Sequence, residues 1–412
     1  MNHYNFFRQV KMNQKAIIFL ADGMADDPLL ELGGKTPLEF ANTPAMDRIA
    51  REGASGTFLT LPDGLPTSSD VANMSVLGFE PEYNYPGRGP IEAVAQGIEL
   101  GENDIAWRCN LVYVDDAGIL RDYSAGHISP ENAAILMNDL QKEFGSDELT
   151  FYSGVSYRNL LVLHGKRFSD AVDYFKPDSS QDIPLAELRL SAIKPEARET
   201  VEFLIDLEER AAKFLASHPI NAGKANPANR IWPWSPGYRP SLQDFSDKYQ
   251  GRTGAIISAV DVIRGLGKCS DMCVIEVPGA TGFIDTNYAG KADAAIKAIE
   301  EYDFVYLHLE AIDECSHLGD LKLKLQAIEE FDANIVAPVI KALEGRGIRF
   351  AVLPDHPVPI KLRAHTTTPV PVAMMGPGIV ADNIAEFNEK LAPQGSLGYM
   401  TKDSLMKLIL GL

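Results

Sequence analysis

Asp313 and His317 stand four residues apart in the stretch YLHLEAIDECSH, directly after an apolar run. On a starting helix that spacing puts a carboxylate and an imidazole on one face, and such a pair can grip one divalent ion. Cys315 lies between them and faces elsewhere. Asp355-His356 repeats the acid–imidazole pairing after RFAVLP. Asp22 follows KAIIFLA, and His365 lies further on in KLRAHTTTPVPV. Taken singly, each has an ordinary reading as a cap, a solvated turn or an unrelated polar residue. Together they make a hard oxygen-and-nitrogen set fit for Mn, Mg, Co or Zn, and large enough for two ions. Two ions close together suit phosphoryl transfer, because they neutralise both the attacking and the departing oxygen. A serine at a helix N-terminus beside them could be ionised and act as nucleophile. The stretch TSSDVAN offers Ser68 and Ser69, whose plain alternative role is helix capping. Of the other histidines, His308 reads as a core residue inside a strand, and His164 and His218 sit at element ends.

These groups recur where strands end. KAIIFLA, SGTFLTLP, CSDMCVIEV, DFVYLHLE, RFAVLP and VPVAMMG read as short buried strands. Helices are expected at NTPAMDRIAREG, with Thr43 as N-cap, Pro44 at the first position and Gly53 at the stop, and then at GAIISAVDVIRGLG, GKADAAIKAIEEY and LKLKLQAIEEFDANIVAPVIKALEG. Ser68, Ser69 or Asp70 would cap a helix ending near Gly78. Buried strands alternating with helices predict an α/β fold, a doubly wound and largely parallel sheet. Ligands of such sheets bind beyond the carboxyl ends of the strands, where the acids and imidazoles lie. Between residues 82 and 245 the texture changes to α+β. IAWRCNLVYVDDAGILRDY and LTFYSGVSYRNLLVLHG read as hairpins, and KPEARETVEFLIDLEERAAKFLASHP as a long amphipathic helix. NAGKANPANRIWPWSPGYRP reads as a functional loop or hinge rather than a strand. The expected organisation is a tail at 1–14, in which Phe6, Phe7 and Val10 could pack on the body, a core at 15–81 plus 246–412, and an inserted cap at 82–245.

The chain has 412 residues and a net charge of −19, which argues against nucleic acid as a partner but not against a small anion held by local basic groups or metal ions. No apolar run reaches the ~18–20 residues of a membrane span, and the first residues lack a signal-peptide pattern. Four cysteines in this length suggest no disulfide framework, and Cys269 and Cys273 are spaced C-x3-C rather than C-x-x-C. A cytoplasmic location is expected. Assembly of further copies into a homo-oligomer is compatible with the sequence.

The stretches ADGMADDP, KTPLEFANTPAMDRIAREG, PTSSDVANMSVLGFEP, GRGPIEA, DECSH and PDHPVP with RAHTTTPVPV resemble, in this order, the archaeal-type phosphoglycerate mutases that work without 2,3-bisphosphoglycerate, within the alkaline phosphatase superfamily. The resemblance implies an alkaline phosphatase-like core and a small phosphorylated acid as substrate. It implies that Ser69 carries the phosphoryl group. It further implies one metal held by Asp22, Ser69, Asp355 and His356, and a second by Asp313, His317 and His365, commonly Mn or Mg and sometimes Co or Zn. Arg88, Arg108 and Arg158 match contacts to substrate phosphate and carboxylate; Lys224 and Asn226 match less closely, and Arg252 less again. Three departures stand out. His127 replaces an Arg of many relatives, Glu310 stands where archaeal members often carry Lys, and IWPWSPGYRP is unusually aromatic. They keep a second reading in view, a homoserine kinase-like enzyme using ATP, in which the IWPW segment stacks adenine and Glu310 meets the substrate ammonium. Glu310 would otherwise accept a hydrogen bond from a metal-bound histidine. A non-catalytic interaction protein is disfavoured, because all seven implied ligands are present.

Overall fold

The computed structural model describes residues 13–412, so most of the expected tail, including Phe6, Phe7 and Val10, lies outside the described residues. The chain divides into two compact units. One comprises the described residues up to Tyr85 together with Leu242–Leu412, and the other is Pro86–Ser241.

The first unit is built on an eight-stranded sheet. Its strands are β1 (Ala16–Ala21), β2 (Ala54–Phe58), β3 (Gly254–Ile257), β4 (Cys273–Ile275), β5 (Phe304–Leu309), β6 (Arg349–Leu353), β7 (Val370–Met375) and β8 (Gly398–Met400). The spatial order is β4-β3-β5-β1-β6-β7-β2-β8. All pairings are parallel except those of β7, which runs antiparallel to both β6 and β2. The central strands are mostly apolar because helices cover both faces; Ile17, Phe19, Val305, Leu307 and Val352 are fully buried. Each such side chain contributes about 1.5–3 kcal/mol relative to exposure. The register of β1 aligns Ala21 with Leu309 of β5, and Leu20 with Leu353 of β6. The carboxyl ends of β5, β1 and β6 therefore lie side by side.

Three local expectations are corrected. GAIISAVDVIRGLG is not one helix: Gly254–Ile257 is strand β3, and the helix begins at Asp261. Burial of all four strand residues between β4 and β5 overrides their neutral local pattern. Thr43 does not cap the Pro44–Glu52 helix through its side chain. The carboxylate of Asp332 does so instead, accepting from Ala45 N (3.1 Å) and Met46 N (2.7 Å). Asp332 begins a π-helical turn (Asp332–Val336) inside what reads as one continuous helix. Ser68 occupies the N-cap of the Ser69–Val76 helix, also without a side-chain cap bond.

In the second unit the strand Asp104–Val114 pairs antiparallel with Arg158–His164 and with Arg230–Gly237, and Leu149–Val155 extends the sheet. The Asp115–Gly118 turn forms as expected, with the Asp115 carboxylate accepting from Ala117 N and Ile119 N. The helices Pro130–Phe144 and Arg198–Ala216 contribute to its apolar core through Leu136, Leu140, Leu204 and Leu207. IWPWSPG is not a loop but part of the buried strand Arg230–Gly237. It pairs on one side only, so the missing N–H groups of Pro233 and Pro236 break no second ladder. All four cysteines are free thiols. No helix among the described residues is long and apolar enough to cross a membrane.

Candidate functional site

β1 delivers Asp22 at its carboxyl end, where Asp22 N continues the ladder to Leu309 O (2.9 Å). The next residue, Gly23, has φ +65°, and a Cβ there would come within 2.7 Å of Asp313 Cα. Only glycine lets the two acid-bearing turns approach so closely. β5 leads into the helix Ala311–Leu318, which carries Asp313 and His317. β6 ends two residues before Asp355-His356. The loop after it is pinned by a buried ion pair. Lys324 Nζ contacts Asp26 Oδ2 (2.7 Å) and the Val358 carbonyl (3.0 Å), and Asp26 Oδ2 also accepts from Ile360 N (3.0 Å). That loop then presents His365.

The structure brings all seven expected ligand residues to this one edge. Asp313, His317 and His365 have ligand atoms within 4.8 Å of one another, as do Asp22, Asp313 and His356. His317 Nε2 lies 3.4 Å from Asp313 Oδ2 and 3.0 Å from His365 Nε2. His317 Nδ1 donates to the Arg363 carbonyl (2.9 Å), which leaves Nε2 as the atom that faces Asp313 and His365. His356 Nε2 lies 3.4 Å from Asp22 Oδ1, 3.5 Å from Asp355 Oδ2 and 3.1 Å from Ser69 Oγ. Ser69 is the first residue of its helix, so its hydroxyl sits at the positive end of the helix dipole.

The electrostatics call for cations. Asp22 Oδ1 and Asp313 Oδ1 are buried and accept no hydrogen bond. Burial, and then the charges of Asp355, Glu310 and Asp313, push the Asp22 carboxyl well above its usual range. Burial also works to raise Asp313, but the hydrogen bond to His317 and the charges of His365 and His317 outweigh it and hold Asp313 low. Burial works to lower His317, yet Asp313 raises it to about 9. Converging buried carboxylates, with oxygens that accept no hydrogen bond, beside the imidazoles of His317, His356 and His365 fit divalent metal.

Sequence reasoning missed three residues here. His308, read as core, is indeed fully buried. Its Nε2, however, meets Asp22 Oδ2 (3.0 Å) and its Nδ1 meets Ser258 Oγ (3.2 Å). Ser258 Oγ already accepts from Val260 N (3.0 Å), so its hydroxyl proton is available for Nδ1, and His308 donates Nε2–H to Asp22. The signal was its position one residue short of the strand end. Lys291, wholly buried in the helix Tyr288–Glu301, donates to the His308 carbonyl (3.0 Å); burial lowers its pKa to about 8. Asn73 is the third. Glu310 lies beside Asp22 and 3.9 Å from His308 Nε2, and burial followed by the charge of Asp313 pushes it up to about 8. Its Oε2 has no hydrogen-bond partner, so it does not accept from a histidine of the ligand set through that atom.

The expected substrate groups lie in the other unit. Glu92 bridges Arg88 Nε (2.6 Å) and Arg108 Nη1, and both guanidinium groups lie over the Trp234 ring, 5.9 and 5.2 Å from its centroid. Arg158 covers the Tyr157 ring (5.0 Å), with the His127 ring 6.4 Å away on Tyr157. Asp122 ties the His127 loop to Asn226, accepting from Gly126 N (2.7 Å) and Asn226 Nδ2 (2.9 Å). Lys224 is exposed. Arg252 does not join these groups: it belongs to the first unit and precedes β3, at the amino edge of the sheet. Trp232 and Trp234 are buried, with Nε1 bonded to the Phe175 carbonyl (2.8 Å) and Asn110 Oδ1 (3.0 Å). Neither is available to stack a nucleotide base as the kinase reading requires.

A largely parallel α/β sheet with acids, imidazoles and a helix-start serine gathered at its carboxyl edge, and with an inserted second unit, marks the chain as an enzyme. The chain belongs to the family of 2,3-bisphosphoglycerate-independent phosphoglycerate mutases, which are isomerases. A profile of that family matches residues 50–221. The mutase so named from Methanothrix thermoacetophila is 45% identical over 407 residues, covering 96% of this chain and 99% of its own. That from Methanosarcina barkeri is 44% identical over 404 residues, with 96% and 99% covered. Among solved structures, a Pyrococcus horikoshii protein superposes with a TM-score of 0.81 at 27% identity, covering 97% of each chain. The cofactor-independent phosphoglycerate mutase of Thermoplasma acidophilum gives 0.64 at 27% identity, covering 96% of this chain and 100% of its own.

Proposed function

We propose that the protein interconverts 3-phosphoglycerate and 2-phosphoglycerate through a phosphoserine at Ser69, without 2,3-bisphosphoglycerate. The observation that carries this is the placement of Ser69 Oγ at a helix start, 3.1 Å from His356 Nε2, which itself lies 3.4 Å from Asp22 Oδ1 and 3.5 Å from Asp355 Oδ2. Asp22, Ser69, Asp355 and His356 would hold one divalent ion, and Asp313, His317 and His365 another, with Mn our choice of metal. When bound, such ions supply charge neutralisation for the transferring phosphoryl group.

The chain's own groups do the rest. Ser69 Oγ forms a bond to phosphorus as the bond from phosphorus to the 3-oxygen breaks, and the serine proton ends on the released oxygen. Glycerate turns, its 2-oxygen takes the phosphoryl group back, and its proton ends on Ser69. Arg88, Arg108 and Arg158, with His127, Asn226 and Lys224, supply guanidinium forks and donors suited to a carboxylate and a phosphate. Glu92 and the aromatic faces hold three of these groups in fixed orientation.

The test incubates the purified protein with Mn and 3-phosphoglycerate, and separately with Mg, ATP and homoserine. We expect 2-phosphoglycerate in the first and little ADP in the second; homoserine-dependent ADP without mutase turnover overturns the reading. Peptide mapping of trapped protein should find phosphate on Ser69, and Ser69→Ala should abolish transfer in a folded protein. Phosphate on Ser68 would move the nucleophile by one residue.

A further inference from the structure

We infer that Asn73 and Tyr306 form a positioning pair that locks the turn carrying Ser69 to the Asp355 carboxylate. The inference rests on the transfer centre proposed above and concerns residues that touch neither substrate nor ion in that reading.

Asn73 lies one helical turn after Ser69 and is fully buried. Its Nδ2 donates to the Ser69 carbonyl (2.7 Å) and to Asp355 Oδ2 (2.8 Å). Its Oδ1 accepts from the Tyr306 hydroxyl (2.5 Å). Both partners of Nδ2 are pure acceptors, so the amide has one workable orientation. Rotated by half a turn, its oxygen would face a carbonyl and a carboxylate, and its two donors would face one hydroxyl. In the observed orientation Oδ1 can only accept, so Tyr306 must donate. Both donors of the amide and one lone pair of its oxygen are thereby committed, inside a buried space where an unmet polar group is costly.

The three partners come from three elements. Ser69 starts its helix, Asp355 follows β6, and Tyr306 lies inside β5, the strand that leads to Asp313. One neutral side chain thus fixes the nucleophile's turn against a carboxylate of the same proposed metal site, and anchors both to the strand leading to the other. Neutrality matters: an aspartate at 73 would set another carboxylate against Asp355, while a residue without donors would leave Asp355 Oδ2 unheld.

The experiment uses the full chain stripped of metal. Mn binding is read from the electron paramagnetic resonance signal of free Mn, which needs no activity, and kinetics are measured on the reloaded protein. Asn73→Ala should weaken Mn binding and lower kcat by about 10–100-fold, the usual effect of removing a group that holds a metal ligand, with KM within about twofold. Tyr306→Phe removes a single oxygen and should lower kcat by about 2–10-fold, as expected for one hydrogen bond. Wild-type Mn affinity and kcat in folded Asn73→Ala would overturn the inference. Should that variant fail to fold, Tyr306→Phe decides: an unchanged kcat overturns the proposal. A wild-type protein that binds Mn but forms no 2-phosphoglycerate would instead sink the functional reading, leaving the Mn-binding comparison to judge this one.

Discussion

The two units handle buried charge in opposite ways. At the carboxyl edge of the large sheet, Asp22, Asp313, Asp355 and Glu310 crowd together, and three of their oxygens, Asp22 Oδ1, Asp313 Oδ1 and Glu310 Oε2, accept no hydrogen bond. In the inserted unit, Glu92 is just as deeply placed but lies between Arg88 and Arg108. Burial alone would raise Glu92, yet the charges of Arg108 and Arg88 and their hydrogen bonds hold it below its usual range. The first arrangement leaves negative charge that the chain's own donors do not match, and the proposed divalent ions would balance it. The second is complete in itself, and its product is a pair of guanidinium groups with fixed orientation. A catalytic centre that binds ions must leave charge unmatched, whereas a recognition surface must not leave its arginines free to collapse onto stray acids.

The strongest way to break this contrast is to remove the unmatched charge. Asp22→Asn should abolish turnover, by at least about 10³-fold on the scale of charge stabilisation at such centres. It should also raise the stability of the metal-free protein by about 1–2 kcal/mol, because one of the mutually repelling carboxylates is gone. Chelated wild-type and Asp22→Asn proteins compared by thermal denaturation give the answer. A metal-free variant less stable than metal-free wild type would mean that the carboxylate cluster is satisfied without ions.

The converse change is Glu92→Gln, which removes the carboxylate that bridges Arg88 and the buried Arg108. The side chains of Glu92 and Arg108 are only 6% and 2% exposed, so solvent offers little relief. Breaking a buried pair from one side costs about 3–5 kcal/mol. We expect a loss of that order in denaturant unfolding of the full chain, together with a raised KM for phosphoglycerate. A loss below about 1 kcal/mol would show that the Trp234 ring, together with Asn110 Oδ1, which accepts from Arg108 Nη2 (3.2 Å), is enough to hold Arg108.

What could be read beforehand follows from range of interaction. Asp22, Asp313 and Asp355-His356 were legible because each closes an apolar run, and the rule that ligands gather at carboxyl ends needs only the order of elements. The assignment of Ser69 over Ser68, and of ligands to two separate ions, came from family resemblance rather than from spacing. Asn73, Lys291 and the role of His308 were illegible, since each is defined by a partner on another strand or helix, as with Tyr306 on Asn73. The same holds for the cap of the Pro44 helix, supplied by Asp332 from far along the chain while Thr43 stands idle. Proline-rich IWPWSPG was misread because a single edge pairing and burial of two tryptophans, both tertiary facts, outweigh its poor strand propensity.

The smallest effect sharpens the comparison within the inserted unit itself. Glu208, on the helix Arg198–Ala216, is half-buried and lacks the close pair of guanidinium groups that Glu92 has. Burial pushes its carboxyl up to about 8, Arg230 counters only in part, and Glu209 adds to the rise. It is Glu92 without the arginines. The sign follows from proton counting. Between the ordinary glutamate range near pH 4.5 and about pH 8, the folded chain binds a proton that the unfolded chain has lost. Stability from this group is therefore fully present at the acid end of that window and falls as pH rises through it, the reverse of the behaviour expected for Glu92. Glu208 keeps partial solvent contact, so we expect the loss to reach only about 1–2 kcal/mol by pH 8.5. Glu208→Gln mimics the protonated acid and should abolish this slope. Unfolding free energies of the two proteins should lie closest below about pH 5, diverge as pH rises toward about 8, and keep a constant gap above it, with the variant the more stable. Parallel curves across the whole range would mean that Arg230 matches Glu208 as fully as Arg88 and Arg108 match Glu92.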